Sequence, residues 1–338
     1  MTHVGPSEGG KPPVEISVVI PLYNKAQEIA RALDSVKHQT IDPAEVIVVD
    51  DGSTDASADI VSKYRLPGLS LVQQKNAGEC AARNRGVYEA KGDLIAFLDA
   101  DDEWEPGFLR AVAEMWHKYP DCGMYGTAYR ICVKHGDYIV PTFSSVPPKG
   151  EDAVLDSYFA SASEGPCIWS SAVAVPRTVL RSIGGFPVGV RRGGDRVTWL
   201  RIAVDYPVAF RHSVLATWHQ GASNRVKHFY KQDSREHPVI RAGLEALRRD
   251  ELTPQMRRDL VAYVARTQLF VAKQLIRFDK RREARELLTE CVAPTKFWWR
   301  WLGCLAASFL PVWLFGPLYR LKCNVANRRR TALAGDSE

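Results

Sequence analysis

The chain has no C-x-x-C pair, and its seven cysteines, Cys80, Cys122, Cys132, Cys167, Cys291, Cys304 and Cys323, are odd in number and scattered. That spacing argues against a disulfide framework and a zinc site, and a reducing compartment fits best. There is no G-x-S-x-G elbow and no cysteine–histidine signature, so no acyl-transfer nucleophile is marked. No repeat of 20–50 residues recurs. Charge of one sign is scarce: 45 basic residues against 39 acidic leave only +6, and the excess crowds the end, at Arg320, Lys322, Arg328, Arg329 and Arg330. Basic residues interleaved with aromatics along one face are missing, so no nucleic-acid partner is expected. Met1–Pro13 is polar and Gly/Pro-rich without the apolar run of a signal peptide, and residues 1–13 are expected to form a flexible leader.

What is present is an alternation of apolar runs and helical spacing. Ile16–Ile20, Val46–Val49, Leu69–Gln73 and Leu94–Leu98 read as strands. Between them, Ala26–Val36, Asp55–Tyr64 and Gly78–Ala90 read as helices, Asp55 being placed to cap the second. Strand and helix in alternation predict an α/β fold: a mostly parallel sheet flanked by helices. A helix to about Tyr119, strands at Met124–Val133, Ala172–Val175 and Val214–Trp218, and a helix over Asp195–Val204 follow. From His237 the pattern is helical, with apolar stripes at Leu260, Val264, Val271, Leu275 and Phe278, and at Ala284, Leu287, Leu288 and Cys291. The organisation expected is a catalytic domain over 14–224, a helical extension over 225–295, and a membrane-associating segment with a basic tail over 296–330.

Ligands of such sheets lie beyond the carboxyl ends of the strands. Three of these ends are polar: Pro21-Leu22-Tyr23-Asn24, Asp50-Asp51-Gly52-Ser53-Thr54-Asp55 and Asp99-Ala100-Asp101-Asp102. In the last, three carboxylates stand within four positions, a repulsive arrangement unless a cation neutralises it. Oxygen ligands without His or Cys favour Mg2+ or Mn2+; a solvated acidic turn is the alternative. Asp51 before Gly52 allows a tight turn and close approach of a ligand, and its carboxylate can accept the N–H of a uracil or thymine ring.

These segments together resemble family-2 glycosyltransferases of the GT-A fold. The resemblance rests on Ile16–Asn24, on Val46–Asp55, on Asn76-Ala77-Gly78 with Ala82-Arg83-Asn84-Arg85-Gly86, and on Phe97–Asp102. It implies a metal-dependent, inverting transfer of a single sugar from a nucleotide-sugar donor, UDP- or dTDP-linked, to a hydroxyl of a glycan or lipid-linked acceptor. Pro21, Tyr23 and Asp51 would line the base pocket, with Glu28 facing the nucleotide or solvent. Asp99 would approach the ribose; Asp101 would hold Mn2+ or Mg2+ on the diphosphate, with Asp102 and His219 as further metal ligands. Arg83 would stand near the diphosphate or form a surface salt bridge. The family's catalytic carboxylate follows a G-G-F segment as Glu-Asp. Here Gly184-Gly185-Phe186 is followed by Gly193-Gly194-Asp195, so Asp195 aligns with the base, and Gly194 replaces the Glu. Asp195 is also placed to cap its helix. The Gln/Arg-x-x-Arg-Trp signature of processive members is missing, which favours one sugar per event. The rival readings are a membrane-bound nucleotide-sugar-binding protein without transfer activity, and a nucleotidyltransferase, although a Gly-rich phosphate loop is missing after the first strand.

Trp301–Tyr319 carries no charged residue, with Trp298 and Trp299 before it and Tyr319 at its end. The length just reaches that of a spanning helix, but Pro311 and Pro317 would break one. A segment lying in the cytoplasmic leaflet of the inner membrane is therefore expected, its basic tail on an anionic membrane surface; a buried helix packed on 225–295 is the alternative.

Overall fold

The computed structural model describes residues 14–133, 136–221, 236–292 and 297–309. Its strands are β1 (Ile16–Leu22), β2 (Glu45–Asp50), β3 (Leu69–Gln73), β4 (Leu94–Phe97), β5 (Glu103–Trp104), β6 (Met124–Cys132), β7 (Tyr138–Ile139), β8 (Asp152–Val154), β9 (Val173–Pro176) and β10 (Val208–His219). The helices are α1 (Ile29–Lys37), α2 (Ser57–Lys63), α3 (Glu79–Glu89), α4 (Phe108–Lys118), α5 (Tyr158–Glu164), α6 (Arg177–Ser182), α7 (Gly194–Asp205), α8 (Pro238–Ala246), α9 (Pro254–Arg277), α10 (Arg281–Thr289) and α11 (Trp298–Ala307).

One sheet runs in the order β3-β2-β1-β4-β9-β6-β10-β5. The alternation of β1 divides the core. Val18 and Ile20 face a cluster with Leu33 and Val36 of α1 and Val112 of α4. Val19 faces the other, with Ala82 of α3, Leu200 of α7 and Val264 of α9. Close packing of α3 depends on Gly86, whose hypothetical Cβ would stand 2.3 Å from Val19 Cγ1. Pro21 is tolerated near the sheet centre for a simple reason. β1 pairs with β4 only through Val19, so at Pro21 the strand has β2 alone as neighbour, and the missing N–H costs no ladder bond.

The expectation of a mostly parallel sheet needs correction. β1, β2, β3 and β4 are parallel, as are β6 and β10, but β9 enters antiparallel between β4 and β6. β5 and β8 add antiparallel pairs to β10, so the sheet is mixed. Short apolar runs such as Val173–Val175 read alike in either direction, so direction was not in the pattern. β10 also begins six residues earlier than expected. It bulges between Arg211 and Val214 and again before Ala216, which breaks the sequence periodicity.

The helical extension docks on the sheet unit. α9 opens with Thr253 Oγ1 accepting from Met256 N–H at 3.1 Å and with Pro254 in its first turn. Its Leu260, Val264, Val271 and Leu275 are buried, as expected, in the core shared with α7. Arg196 of α7 donates to Tyr263 Oη at 3.2 and 3.3 Å and to Thr267 Oγ1 at 3.2 Å on α9. The 1–13 leader and the 224/225 boundary lie outside the described residues, and of 296–330 only 297–309 lies within them. Among the described residues, no helix is long and apolar enough to cross a membrane.

Candidate active site

The loops after β1 and β2 are stitched together. Asn24 adopts φ +50° and accepts Thr54 N–H on Oδ1 at 2.7 Å. The backbone N–H groups of Asn24, Lys25 and Ala26 donate to Ser53 Oγ, Ser57 Oγ and Asp55 Oδ2 at 3.0, 2.8 and 3.1 Å. Asp55 lies one residue before the Ala56 cap position of α2, and accepts Ser57 N–H at 3.0 Å. Gly52 is required here. Its φ is +74°, and a Cβ would touch Asn76 N at 3.0 Å.

Asp51 is buried, and both its oxygens serve the loop before α3. Oδ1 accepts from Gln74 Nε2 at 2.7 Å and Ala77 N–H at 2.9 Å; Oδ2 accepts Gly78 N–H at 2.8 Å. Pro21 is buried beside it on β1, and Tyr23 stands 45% exposed at the rim. Glu28 is only 6% exposed at the start of α1, so its side chain is not the solvated charge weighed from sequence.

Arg83 is buried, while one of its two carboxylate partners, Glu79, has a side chain 56% exposed. Arg83 itself is 1% exposed and joins Glu79 to Asp99, the latter at 2.6 Å. Burial pushes the Asp99 carboxyl up to about 7 against the pull of Arg83, with the charges of Glu79 and Asp101 adding to the rise. Asp101 pairs with Lys25 Nζ at 2.9 Å, and Arg31 donates to its carbonyl at 2.5 Å. Asp102 differs from both. It is 1% exposed and accepts from Ser171 Oγ at 2.6 Å, Trp169 Nε1 at 3.1 Å and His219 N–H at 3.0 Å. Burial and the charges of Asp101 and Asp99 push its carboxyl well up. His219 Nε2 in turn stands 3.0 Å from Glu103 Oε1, and that contact holds the Glu103 carboxyl below its ordinary range.

Asp195 sits in the first turn of α7, where Gly193 at φ +75° is the cap residue and no side chain caps the helix. The capping role expected for Asp195 is therefore not seen; its Oδ2 instead accepts from Ser170 Oγ at 3.4 Å. Ser170 and Ser171 form a 3-10 turn before β9, and Ser171 Oγ also accepts Asp99 N–H at 3.1 Å. This serine pair thus brings Asp195, Asp99 and Asp102 together across β4 and β9. A second tie runs from α3: Asn84 exchanges hydrogen bonds with the Phe186 backbone, both at 2.8 Å. Gly194, where the resemblance has Glu, stands close against Cys80. A Cβ at 194 would stand 2.3 Å from the Sγ of buried Cys80.

Among the described residues, no three His, Cys, Asp or Glu side chains form a ready metal cage. Mg2+-type ions are commonly held by one or two carboxylates plus substrate phosphates, and Asp101, a hard donor in a position shared with a cation, fits that role. The oxygens of Asp102 and the ring of His219 are turned to protein partners. Lys25, Asn84, Cys80, Ser170 and Ser171 were not found from sequence. Each acts across 25 residues or more, and no local spacing marks such contacts.

Residues 17–167 match the family model described as Glycosyl transferase family 2. The chain is 33% identical over 192 residues to an uncharacterized glycosyltransferase of Nostoc sp., covering 55% of this chain and 56% of that one. It is 43% identical over 102 residues to the amylovoran biosynthesis glycosyltransferase AmsB of Erwinia amylovora, covering 29% and 34%. The chain thus spans about half of the one relative and about a third of the other. Among solved structures, S. aureus TarS 1-349 in complex with UDP-GlcNAc shares the fold at TM-score 0.63 and 20% identity, over 87% of this chain and 88% of that one. The mannosyltransferase PcManGT of Pyrobaculum calidifontis, with GDP-Man and Mn2+, does so at 0.58 and 21%, over 88% and 86%.

Proposed function

Because residues 17–167 of this chain belong to glycosyl transferase family 2, we propose that the protein moves one sugar from a nucleotide-sugar donor to a hydroxyl acceptor, with inversion at the anomeric carbon. The observation that carries the reading is the meeting of Asp195 with Asp99 and Asp102 through Ser170 and Ser171, beside the cation-paired Asp101. Three strand-end loops and a helix start thereby converge on one place with a proton acceptor at one side and a carboxylate cluster at the other.

In the proposed reaction Asp195 takes the proton from the acceptor hydroxyl. The acceptor oxygen forms its bond to the anomeric carbon as the bond from that carbon to the diphosphate breaks, and the nucleoside diphosphate leaves with the electron pair. A bound Mn2+ or Mg2+ at Asp101 would supply charge neutralisation to that leaving group. Asp99, tied to Arg83, orients the ribose side, and Pro21, Tyr23 and Asp51 shape the base pocket. Gln74 Nε2 donates to Asp51 and would fix the orientation of that carboxylate. Asp102 acts as the strut that holds Trp169, Ser171 and His219 in register. The complexes of TarS with UDP-GlcNAc and of PcManGT with GDP-Man and Mn2+ support a nucleotide-sugar donor and a divalent ion, and the likeness to AmsB, named for amylovoran biosynthesis, supports a glycan acceptor.

The test is Asp195→Asn. Turnover is expected to fall roughly 10²–10⁴-fold, the range for loss of a general base, with donor affinity unchanged, as measured by transfer assay and calorimetry. Loss of donor binding with turnover intact would move Asp195 out of this role.

A further inference from the structure

The helix α11 is packed the wrong way for a protein that meets only water. Its inner side is tied down: Trp301 Nε1 donates to Leu288 carbonyl at 2.8 Å, Cys304 and Ala307 are buried, and Arg285 donates to Ser308 carbonyl at 3.0 Å. Its outer side presents Trp299 at 70% exposure, Phe309 at 67%, and Trp298 and Leu302 at 45% each. Trp298 and Trp299 stack on one another at 3.5 Å. Gly303 and Ala306 complete this face, and Arg300 is its one charge. Three large aromatics and a leucine held on one surface by a helix docked from behind form a built apolar platform, not a scatter of exposed residues.

The rim of the platform is basic. The Arg285 guanidinium lies 4.9 Å over the Phe309 ring, and that of Arg300 lies 6.0 Å over Phe297. In the sequence, residues 310–319 are uncharged and include Trp313, Phe315 and Tyr319, and then come Arg320, Lys322, Arg328, Arg329 and Arg330. Each candidate occupant meets this charge differently. A second copy brings the same +6 excess, and the chain's own tail would set five more cations against Arg285 and Arg300. An anionic bilayer is complementary to both features. Tryptophan and its aromatic neighbours favour the headgroup boundary, and each Lys or Arg near an anionic surface adds about 1 kcal/mol. Ten helical residues reach about 15 Å, half a hydrocarbon core, too short to cross one.

We propose that the outer face of α11 and of the turn that ends it, Trp298, Trp299, Leu302 and Phe309, docks the protein on an anionic lipid bilayer. This surface stands apart from the transfer reading, so each is tested without the other. The experiment is co-sedimentation of the full chain with vesicles of phosphatidylcholine, with and without phosphatidylglycerol. The wild type is expected to sediment with the anionic vesicles and to be released by high salt. The combined variant Trp298→Ser, Trp299→Ser, Leu302→Ser and Phe309→Ser should lose about tenfold or more in vesicle affinity, with circular dichroism, melting temperature and UDP-dependent thermal shift unchanged. Trp299→Ser alone, at the most exposed position, should lose part of the affinity and serves if the combined variant does not fold. A wild type that stays in the supernatant overturns the proposal, as does a combined variant that binds as tightly as wild type. So does a wild-type dimer that the variant converts to monomer without any vesicle binding.

Discussion

Gly194 replaces the acidic residue that precedes the base in the resembling family, and Cys80 explains the replacement in a way that can be measured. A Cβ at 194 would stand 2.3 Å from Cys80 Sγ, 3.7 Å from Pro187 Cγ and 3.8 Å from Val190 Cγ1. The last two are ordinary contacts; the first is far inside the 3.5–4.0 Å optimum of about that size for nonbonded heavy atoms. Cys80 is 5% exposed on α3, so its sulfur has little room to move. Gly194→Ala should therefore cost about 1–3 kcal/mol, the usual range for overpacking. This holds even though Ala in a helical turn is intrinsically better than Gly by up to about 1 kcal/mol. With an unfolding slope of about 3 kcal/mol per M, the urea midpoint should fall by roughly 0.3–1 M. Cys80→Ala removes the sulfur, and in that background Gly194→Ala should be neutral or stabilising. The cycle should show a coupling of about 1–3 kcal/mol, where independent sites would add within about 0.5 kcal/mol. Turnover should follow, because Asp195 is the next residue: impaired in Gly194→Ala, recovered in the double variant. Additive costs, or a Gly194→Ala chain as stable as wild type, would refute the steric account.

Two further outcomes are expected. Asp101→Asn should abolish the Mn2+-dependent thermal shift by UDP while leaving the melting temperature of the ligand-free chain close to wild type; an undiminished shift would remove Asp101 from the metal site. At Asp152, burial pushes the carboxyl up, but hydrogen bonds from Lys118, Arg211 and Tyr119 outweigh it and hold the group at about 2. The folded value lies below the ordinary aspartate of about 3.9, so the stabilisation is present above about pH 4 and is lost as pH falls through about 2, with a size of about 2 kcal/mol. Asp152→Asn should thus lower stability at neutral pH in urea unfolding, and the gap to wild type should close as the pH approaches that of the folded group. A gap independent of pH would show that packing, not charge, is at work there.

Local signals carried far along this chain. The runs Ile16–Ile20 and Val46–Val49 became β1 and β2 because short β-branched segments buried on both faces have few other uses, and Leu69–Gln73 became the half-exposed β3 beside them. The polar residues at their carboxyl ends fell where loops of such sheets converge, so the placing of Asp51, Asp99 and Asp101 just past the ends of β2 and β4 was legible from pattern alone. The stripe Leu260, Val264, Val271 and Leu275 marked one face of α9 by its period. Tertiary structure decided the rest, because it rests on contacts with no sequence period. The reversal of β9 made the sheet mixed. Burial made Arg83 the partner of Asp99, and set the Asp102 carboxylate against Ser171, Trp169 and the His219 N–H. The Ser170–Ser171 turn joined Asp195 to residues 70 or more positions earlier. The same holds for Gly194, which is an unexplained departure in the linear chain and a necessity beside the sulfur of Cys80, since a steric limit exists only once two distant backbones have been brought together.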